Sequence, residues 1–266
     1  MPAPRTVQQL FDLSGRTALV TGGSRGLGLQ IAHALGEAGA RVLISARKAG
    51  ELESAAAELR RASIDAQWLV ADSGDAAQCE TLATSAIERL GRIDILVNNA
   101  GTSWGAAAED HPIAGWDKVM NVNVRGVFAL TRAIAKLDMI PRRSGRILNI
   151  ASVAALGGFQ FPPMRAVAYS ASKGAVVSLT RALAVEWGQF GITVNAIAPG
   201  VFPSQMAKTL VAGTGAERLA NAVPLGRIGD DEALKGPVLL FASDAGKHLS
   251  GQVLQVDGGT SAVVVS

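Results

Sequence analysis

Short runs of aliphatic and β-branched residues recur along the chain, each followed by a longer stretch whose apolar positions return at helical spacing. The runs predict strands over 17–20, 41–45, 67–70, 93–98, 146–150, 193–198 and 252–256. The intervening stretches predict helices over 27–38, 49–62, 76–90, 116–138, 167–190 and 231–243. Glycine closes several of these helices, at Gly39, Gly91 and Gly191. The strands are apolar throughout rather than alternating, as expected of strands covered on both faces. The pattern predicts the α/β class, with a doubly wound parallel seven-stranded sheet and helices on both of its faces. The alternation runs without a linker, so residues 1–266 are expected to form one domain. It weakens only over 202–229, where Gly213, Gly215, Pro224 and Gly226 break up short helical pieces, a candidate substrate lid.

Composition narrows the classes that fit. About half of the 266 residues are apolar, only 5% are aromatic and 30 are glycine, which predicts an aliphatic core with many tight turns. The net charge of +3 is spread along the chain with no basic run longer than Arg142-Arg143, so no nucleic-acid partner is expected. Cys79 is the sole cysteine, and His33, His111 and His248 lack metal-ligand spacing, so neither a disulfide scaffold nor a metal site is expected. Residues 1–13 lack the apolar core of a signal peptide, and the longest uncharged stretch is interrupted by Gly157, Gly158 and Pro162-Pro163. A cytoplasmic protein without membrane contact is the expectation.

After the first strand comes Thr21-Gly22-Gly23-Ser24-Arg25-Gly26-Leu27-Gly28, leading into a helical pattern. Glycines there let the chain turn sharply and let a pyrophosphate approach the backbone, while a helix N-terminus offers unpaired N–H groups to the anion. This is the turn of a Rossmann-type sheet, although its Gly-x3-Gly-x-Gly spacing differs from the usual fingerprint, and a turn without a ligand is the alternative. The second strand ends in Ser45-Ala46-Arg47 rather than in the acid that an NAD site uses. Arg47, with Arg25, therefore points to the 2′-phosphate of NADP(H), against the alternative of a solvated arginine. Asp72, with the adjoining Ser73, is placed to meet the adenine or to cap the next helix. Asn98-Asn99-Ala100-Gly101 closes the fourth strand on the cofactor side.

Tyr169 and Lys173 stand four apart on a predicted helix, hence on one face. A phenol is a poor acid–base catalyst near neutrality, and a nearby ammonium lowers its pKa. Tyr169 is the only tyrosine; without the lysine it would read as an ordinary amphipathic residue.

Together the glycine turn, Asn98-Asn99-Ala100-Gly101, Tyr169-x3-Lys173 and Pro199-Gly200 resemble the short-chain dehydrogenase/reductase family over nearly the whole chain. By that resemblance Ser152 is the catalytic serine that bonds the substrate carbonyl, and Asn123 the helix asparagine of a proton relay, its distance from Gly126 favouring it over Asn121. Lys173 would both hold the cofactor ribose and tune Tyr169. Pro199, Gly200, Val201 and Ser204 would cover the nicotinamide, Val201 through its backbone. The implied partners are a small carbonyl or alcohol substrate and further copies of the chain, as a homotetramer or homodimer.

The segment Gly157-Gly158-Phe159-Gln160-Phe161-Pro162-Pro163-Met164-Arg165 looks longer than the family commonly carries. Its apolar side chains, with Phe202 and Met206, would line a substrate entrance or meet another subunit. The leading expectation is an NADP(H)-dependent reductase of 3-oxoacyl thioesters or similar ketones, with Arg142-Arg143 as a possible contact for an acidic carrier protein or simply a solvated pair. A sugar-acid or polyol dehydrogenase of the gluconate 5-dehydrogenase kind is the alternative enzyme, and a non-catalytic NADP-binding sensor the alternative of another class.

Overall fold

The computed structural model describes residues 4–158, 165–203 and 215–263. Seven parallel strands form one sheet in the order β3-β2-β1-β4-β5-β6-β7. They are β1 (Thr17–Thr21), β2 (Arg41–Ala46), β3 (Ala66–Val70), β4 (Ile95–Asn98), β5 (Gly145–Ile150), β6 (Ile192–Pro199) and β7 (Val253–Val256). All seven expected strands are present, each within two residues of its expected bounds. Burial explains why they were legible: every residue of β1, β4 and β6 is buried, whereas the edge strands β3 and β7 are largely half-exposed.

Alternate strand residues feed two cores. Ala18, Val20, Val42 and Ile44 pack against Ile31 and Leu35 of α2 (Gly26–Glu37), Leu52 and Leu59 of α3 (Ala49–Arg61) and Val238 of a helix close to the C-terminus. Leu19, Leu43 and Leu96 face the opposite side, against Leu82 and Ala86 of α4 (Ala76–Leu90) and helices later in the chain. Cys79 lies in this second core, where burial pushes its thiol up to about 11, so it is a protonated packing residue.

One helix is not among those expected, and two that are expected are corrected. A short helix, α1 (Val7–Phe11), precedes β1, set by a capping box in which Thr6 and Gln9 bond each other's backbone N–H. The expected helix over 116–138 runs longer and is not uniform. It comprises α5 (Ile113–Met120), α6 (Val127–Ile134) and α7 (Ile140–Arg142), joined by π-helical turns over Asn121–Gly126 and Ala135–Met139. After α8 (Val167–Trp187) and α9 (Ala216–Asn221), the helix expected from position 231 begins later, as α10 (Lys235–Ala242). The reason is Asp230, whose carboxylate accepts from the N–H groups of Glu232 and Ala233 and closes a separate turn.

The end of the sheet where the strands begin is tied by ions. Asp94 accepts from the Thr17 N–H at 3.1 Å and the Arg92 guanidinium at 3.0 Å, and Arg142 reaches both Asp94 and Asp138. Arg142 is therefore a structural cation, and Arg143 lies over the Phe190 ring at the same end. The carrier-protein reading of this pair is set aside, because β5 begins beside it and ends at the site described next.

Candidate active site

The strand order turns around between β1 and β4, and in open α/β sheets a ligand crevice opens at the carboxyl ends of the strands at such a point. Gly22 occupies it with a positive φ of 64°. A Cβ on Gly28 would lie 2.2 Å from the Gly22 carbonyl oxygen, so helix α2 meets the turn at a distance only glycine allows. No side chain caps α2, whose N-cap is Arg25, so its first-turn N–H groups are left without a side-chain acceptor. This cradle fits a dinucleotide pyrophosphate, which Gly22, Ser24, Gly26, Leu27 and Gly28 could hold.

Asn99 sits across the turn, but its amide is spent on the protein, donating to the carbonyls of Thr21 at 2.9 Å and Gly22 at 3.1 Å. Thr21 in turn accepts from the N–H groups of Asn99 and Ala100. These bonds clamp β4 to the glycine turn, and what Asn99 and Ala100 offer a ligand is backbone. Asp72 accepts from Gly74 N–H at 2.9 Å, while the cap of α4 is Asp75, bonded to Ala77 and Gln78. The capping alternative for Asp72 is thereby corrected, because the acid three residues on takes those donors. Ser73 presents its carbonyl to Gly126. Arg47 is exposed at the end of β2, with no ion pair among the described residues, and Arg25 in the glycine turn is bonded to Glu51 at 3.2 Å.

The chemical group assembles at the ends of β4 and β5 and on α8. Ser152 lies two residues past β5, buried, and its hydroxyl oxygen accepts from Ala154 N–H at 3.2 Å, which leaves its hydrogen to donate. Tyr169 is half-buried in the first turn of α8. Lys173 follows one turn on, its Nζ 5.6 Å from the Tyr169 ring centre and 2.6 Å from the Ile150 carbonyl, to which it donates. A Cβ on Gly101 would stand 3.7 Å from Lys173 Nζ and 3.5 Å from Asn123 Oδ1, so β4, α8 and the π-helical turn converge within one small space.

Burial, not the lysine, dominates the ionisation of this group, which corrects the expectation from sequence. It pushes the Tyr169 phenol above its ordinary value, with the Ser152 hydroxyl pulling the other way. Burial likewise pushes Lys173 down to about 8. Tyr169 is thus a protonated acid at neutral pH, ready to give up its hydrogen.

Asn123 lies within the first π-helical turn, a feature that commonly marks functional positions. Its side chain is fully used: Nδ2 donates to Thr102 O and Ser172 Oγ, both at 2.9 Å, and Oδ1 accepts from Thr102 N–H at 2.8 Å. Ser172 passes the chain on by donating to the Tyr169 carbonyl at 2.7 Å. A relay through Asn123 is therefore left to its main chain. The turn also depends on Gly126, where a Cβ would be 1.7 Å from the Ser73 carbonyl oxygen. Gly126→Ala is expected to cost about 1–3 kcal/mol, as overpacking against backbone does, and to lower turnover by displacing Asn123. Thermal unfolding and steady-state rates check both, and wild-type values in either would contradict this placement.

Behind the site lies a network of buried side chains whose bonds the sequence motifs do not show. Asn98 donates to Thr131 and to Asn149, each at 2.8 Å, and Asn149 donates to Thr180 at 2.9 Å. This buried chain links α6, β4, β5 and α8. Its signal was an asparagine inside each of two otherwise apolar strands. On the nicotinamide side, a Cβ on Gly200 would strike Asp257, and the Val201 carbonyl accepts from Gly229 N–H at 2.9 Å. Pro199 ends β6 directly before them. Ser204 and Met206 lie outside the described residues, as do residues 159–164 of the long segment. Phe202 is corrected from the entrance to the core: it is buried against Gly229, where a Cβ would lie 2.3 Å from its ring.

Among the described residues no helix is long and apolar enough to cross a membrane, and no group of metal-ligating side chains occurs.

Comparison with known proteins agrees with this geometry. Residues 16–215 match the family model described as short chain dehydrogenase. The chain is 44% identical to a rhamnolipids biosynthesis 3-oxoacyl-[acyl-carrier-protein] reductase of Pseudomonas aeruginosa, over 94% of this chain and 97% of that one. It is 40% identical to a gluconate 5-dehydrogenase of Gluconobacter oxydans, over 94% and 96%. A solved gluconate 5-dehydrogenase from Burkholderia cenocepacia, in complex with NADP and tartrate, superposes with a TM-score of 0.90 at 36% identity, covering 97% of this chain and all of that one.

Proposed function

Because the chain belongs to the short-chain dehydrogenase family, we propose that it is an NADP(H)-dependent oxidoreductase that reduces a ketone, a 3-oxoacyl thioester or similar carbonyl, to a secondary alcohol. The observation that carries the proposal is the convergence of Ser152, Tyr169 and Lys173 beside the glycine cradle. When bound, the nicotinamide supplies the hydride. Ser152 donates a hydrogen bond to the carbonyl oxygen, and Tyr169 gives that oxygen its proton as negative charge develops there. Lys173 stabilises the phenolate left behind and holds the ribose hydroxyls. The oxidation direction uses the same groups with Tyr169 as base. A sensor needs no such group, which weighs against that alternative.

Two arginines at the end of β2 and in the glycine turn, and the NADP bound by the Burkholderia cenocepacia relative, support NADP(H). Arg47→Asp is expected to weaken NADPH about ten- to a hundred-fold relative to NADH, the value of a charge-assisted phosphate contact. An unchanged preference on titration would remove Arg47 from the phosphate site.

The identity to the Pseudomonas aeruginosa reductase favours a thioester substrate; the gluconate 5-dehydrogenase relatives favour a keto-sugar acid as the second reading. Comparing kcat/KM for a 3-oxoacyl thioester and a 5-keto-sugar acid decides between them, and a preference for the second by more than about tenfold, or 1.4 kcal/mol in transition-state binding, would overturn the first. The substrate lid expected over 202–229 falls in part on residues outside the described ones, and of the described part Phe202 is packed against Gly229. The enzyme works in the cytoplasm as a homotetramer or homodimer; exposed Phe128 on α6 and Val185 on α8 are consistent with self-association.

A further inference from the structure

The cations at the NADP end of the cradle already hold an anion of the protein's own. Glu51, in the first turn of α3, accepts from Lys48 Nζ at 2.9 Å and from Arg25 Nη1 at 3.2 Å through both carboxylate oxygens. The Ser24 hydroxyl lies 3.5 Å from the same carboxylate. Two of these partners belong to the glycine turn and one to the turn after β2, so Glu51 spans the two segments between which Arg25 and Arg47 would take a 2′-phosphate. Its bonded Lys48, helped by Arg25, holds its carboxyl below the usual range, so it is ionised at neutral pH.

We propose that Glu51 is a built-in counterion that competes with the cofactor 2′-phosphate for Arg25 and Lys48, and so sets how strongly this enzyme discriminates NADP(H) from NAD(H). The inference rests on the NADP(H) reading. Before the cofactor arrives, Glu51 holds the Arg25 guanidinium and partly cancels the charge of the cluster. A 2′-phosphate must displace Glu51 from Arg25 and then sit near its negative charge. NADH, which has only a hydroxyl there, meets neither penalty.

Glu51→Gln removes the negative charge and keeps the shape. The expected result in calorimetric titration is that NADPH and 2′,5′-ADP bind about two- to tenfold tighter, the size expected from one or two exposed ion pairs. NADH binding should be unchanged, and the gain should shrink as salt is raised. Unaltered or weaker binding of NADPH and 2′,5′-ADP to Glu51→Gln, in an enzyme whose wild type prefers NADPH, would overturn the counterion role and leave the cofactor assignment standing. A wild type that binds NADH at least as well as NADPH would overturn both, and a loss of NADH binding in Glu51→Gln would then put the carboxylate on the ribose hydroxyls.

Discussion

Tyr169→Phe is expected to reduce kcat for carbonyl reduction about 10²- to 10⁴-fold, the usual contribution of a positioned general acid. NADPH affinity should change little, because the phenol's task is the proton and not the cofactor. Folding should change little as well: the ring still fills its place in the first turn of α8, and the lost hydroxyl faces Ser152. The comparison needs three measurements on one preparation: turnover, NADPH titration and thermal unfolding. A kcat within tenfold of wild type would remove Tyr169 from the role of acid, whereas a collapse of all three would mean a folding defect.

Lys173→Met should separate activity from stability in the opposite sense. Lys173 is 5% exposed and burial holds its ammonium down at about 8 against an ordinary 10.5. The native state therefore sheds this proton before the unfolded chain does, and the linkage sign follows: the unfolded state binds more protons, so stability rises with pH between about 8 and 10.5. Below that window the buried charge costs about 3 kcal/mol. Methionine removes the cost but leaves the Ile150 carbonyl without its 2.6 Å partner, a loss of about 1–2 kcal/mol. A net gain of about 1–2 kcal/mol is expected at neutral pH without cofactor, fading as pH approaches 10.5. Turnover should fall at least about 10²-fold, with NADPH binding weakened. In the wild type, kcat/KM for reduction should decline as pH rises through about 8, where Lys173 loses its charge. Denaturation at several pH values checks the first part; a variant no more stable than wild type at neutral pH contradicts it.

How far the chain could be read before its structure depended on which force set each feature. Strands buried on both faces, such as β6 with all eight residues buried, announce themselves by composition. So did the glycine turn, since Gly22 and Gly28 are imposed by local backbone geometry. Features set by tertiary contact did not show. The π-helical turn at Asn123 has the same apolar spacing as an ordinary helix, and it ends at a glycine packed on the Ser73 carbonyl far away in sequence. Phe202 looked like a pocket residue because it follows Pro199-Gly200, yet Gly229 gives it a buried seat. The ionisation of Tyr169 departs from its expectation because spacing gives the nearness of Lys173 but not how dry the site is. The start of α10 was misplaced because the acids at 230–232 look like a helix N-terminus, whereas Asp230 caps its own turn. The capping box at Thr6 and Gln9 marks in the sequence the start of the short helix α1, whose five residues include no buried ones to give it an apolar face.

In the proposed function the cradle and the Ser152, Tyr169 and Lys173 group work together as one reductase. The most direct measurement is the consumption of NADPH by the wild-type protein with 3-oxoacyl thioesters, keto-sugar acids and simple ketones, with the alcohol product quantified alongside. Saturable turnover on one of these classes is expected, with one NADPH consumed per alcohol formed. Tight NADPH binding with no alcohol formed from any of them would contradict it and leave a protein that binds the cofactor without using it.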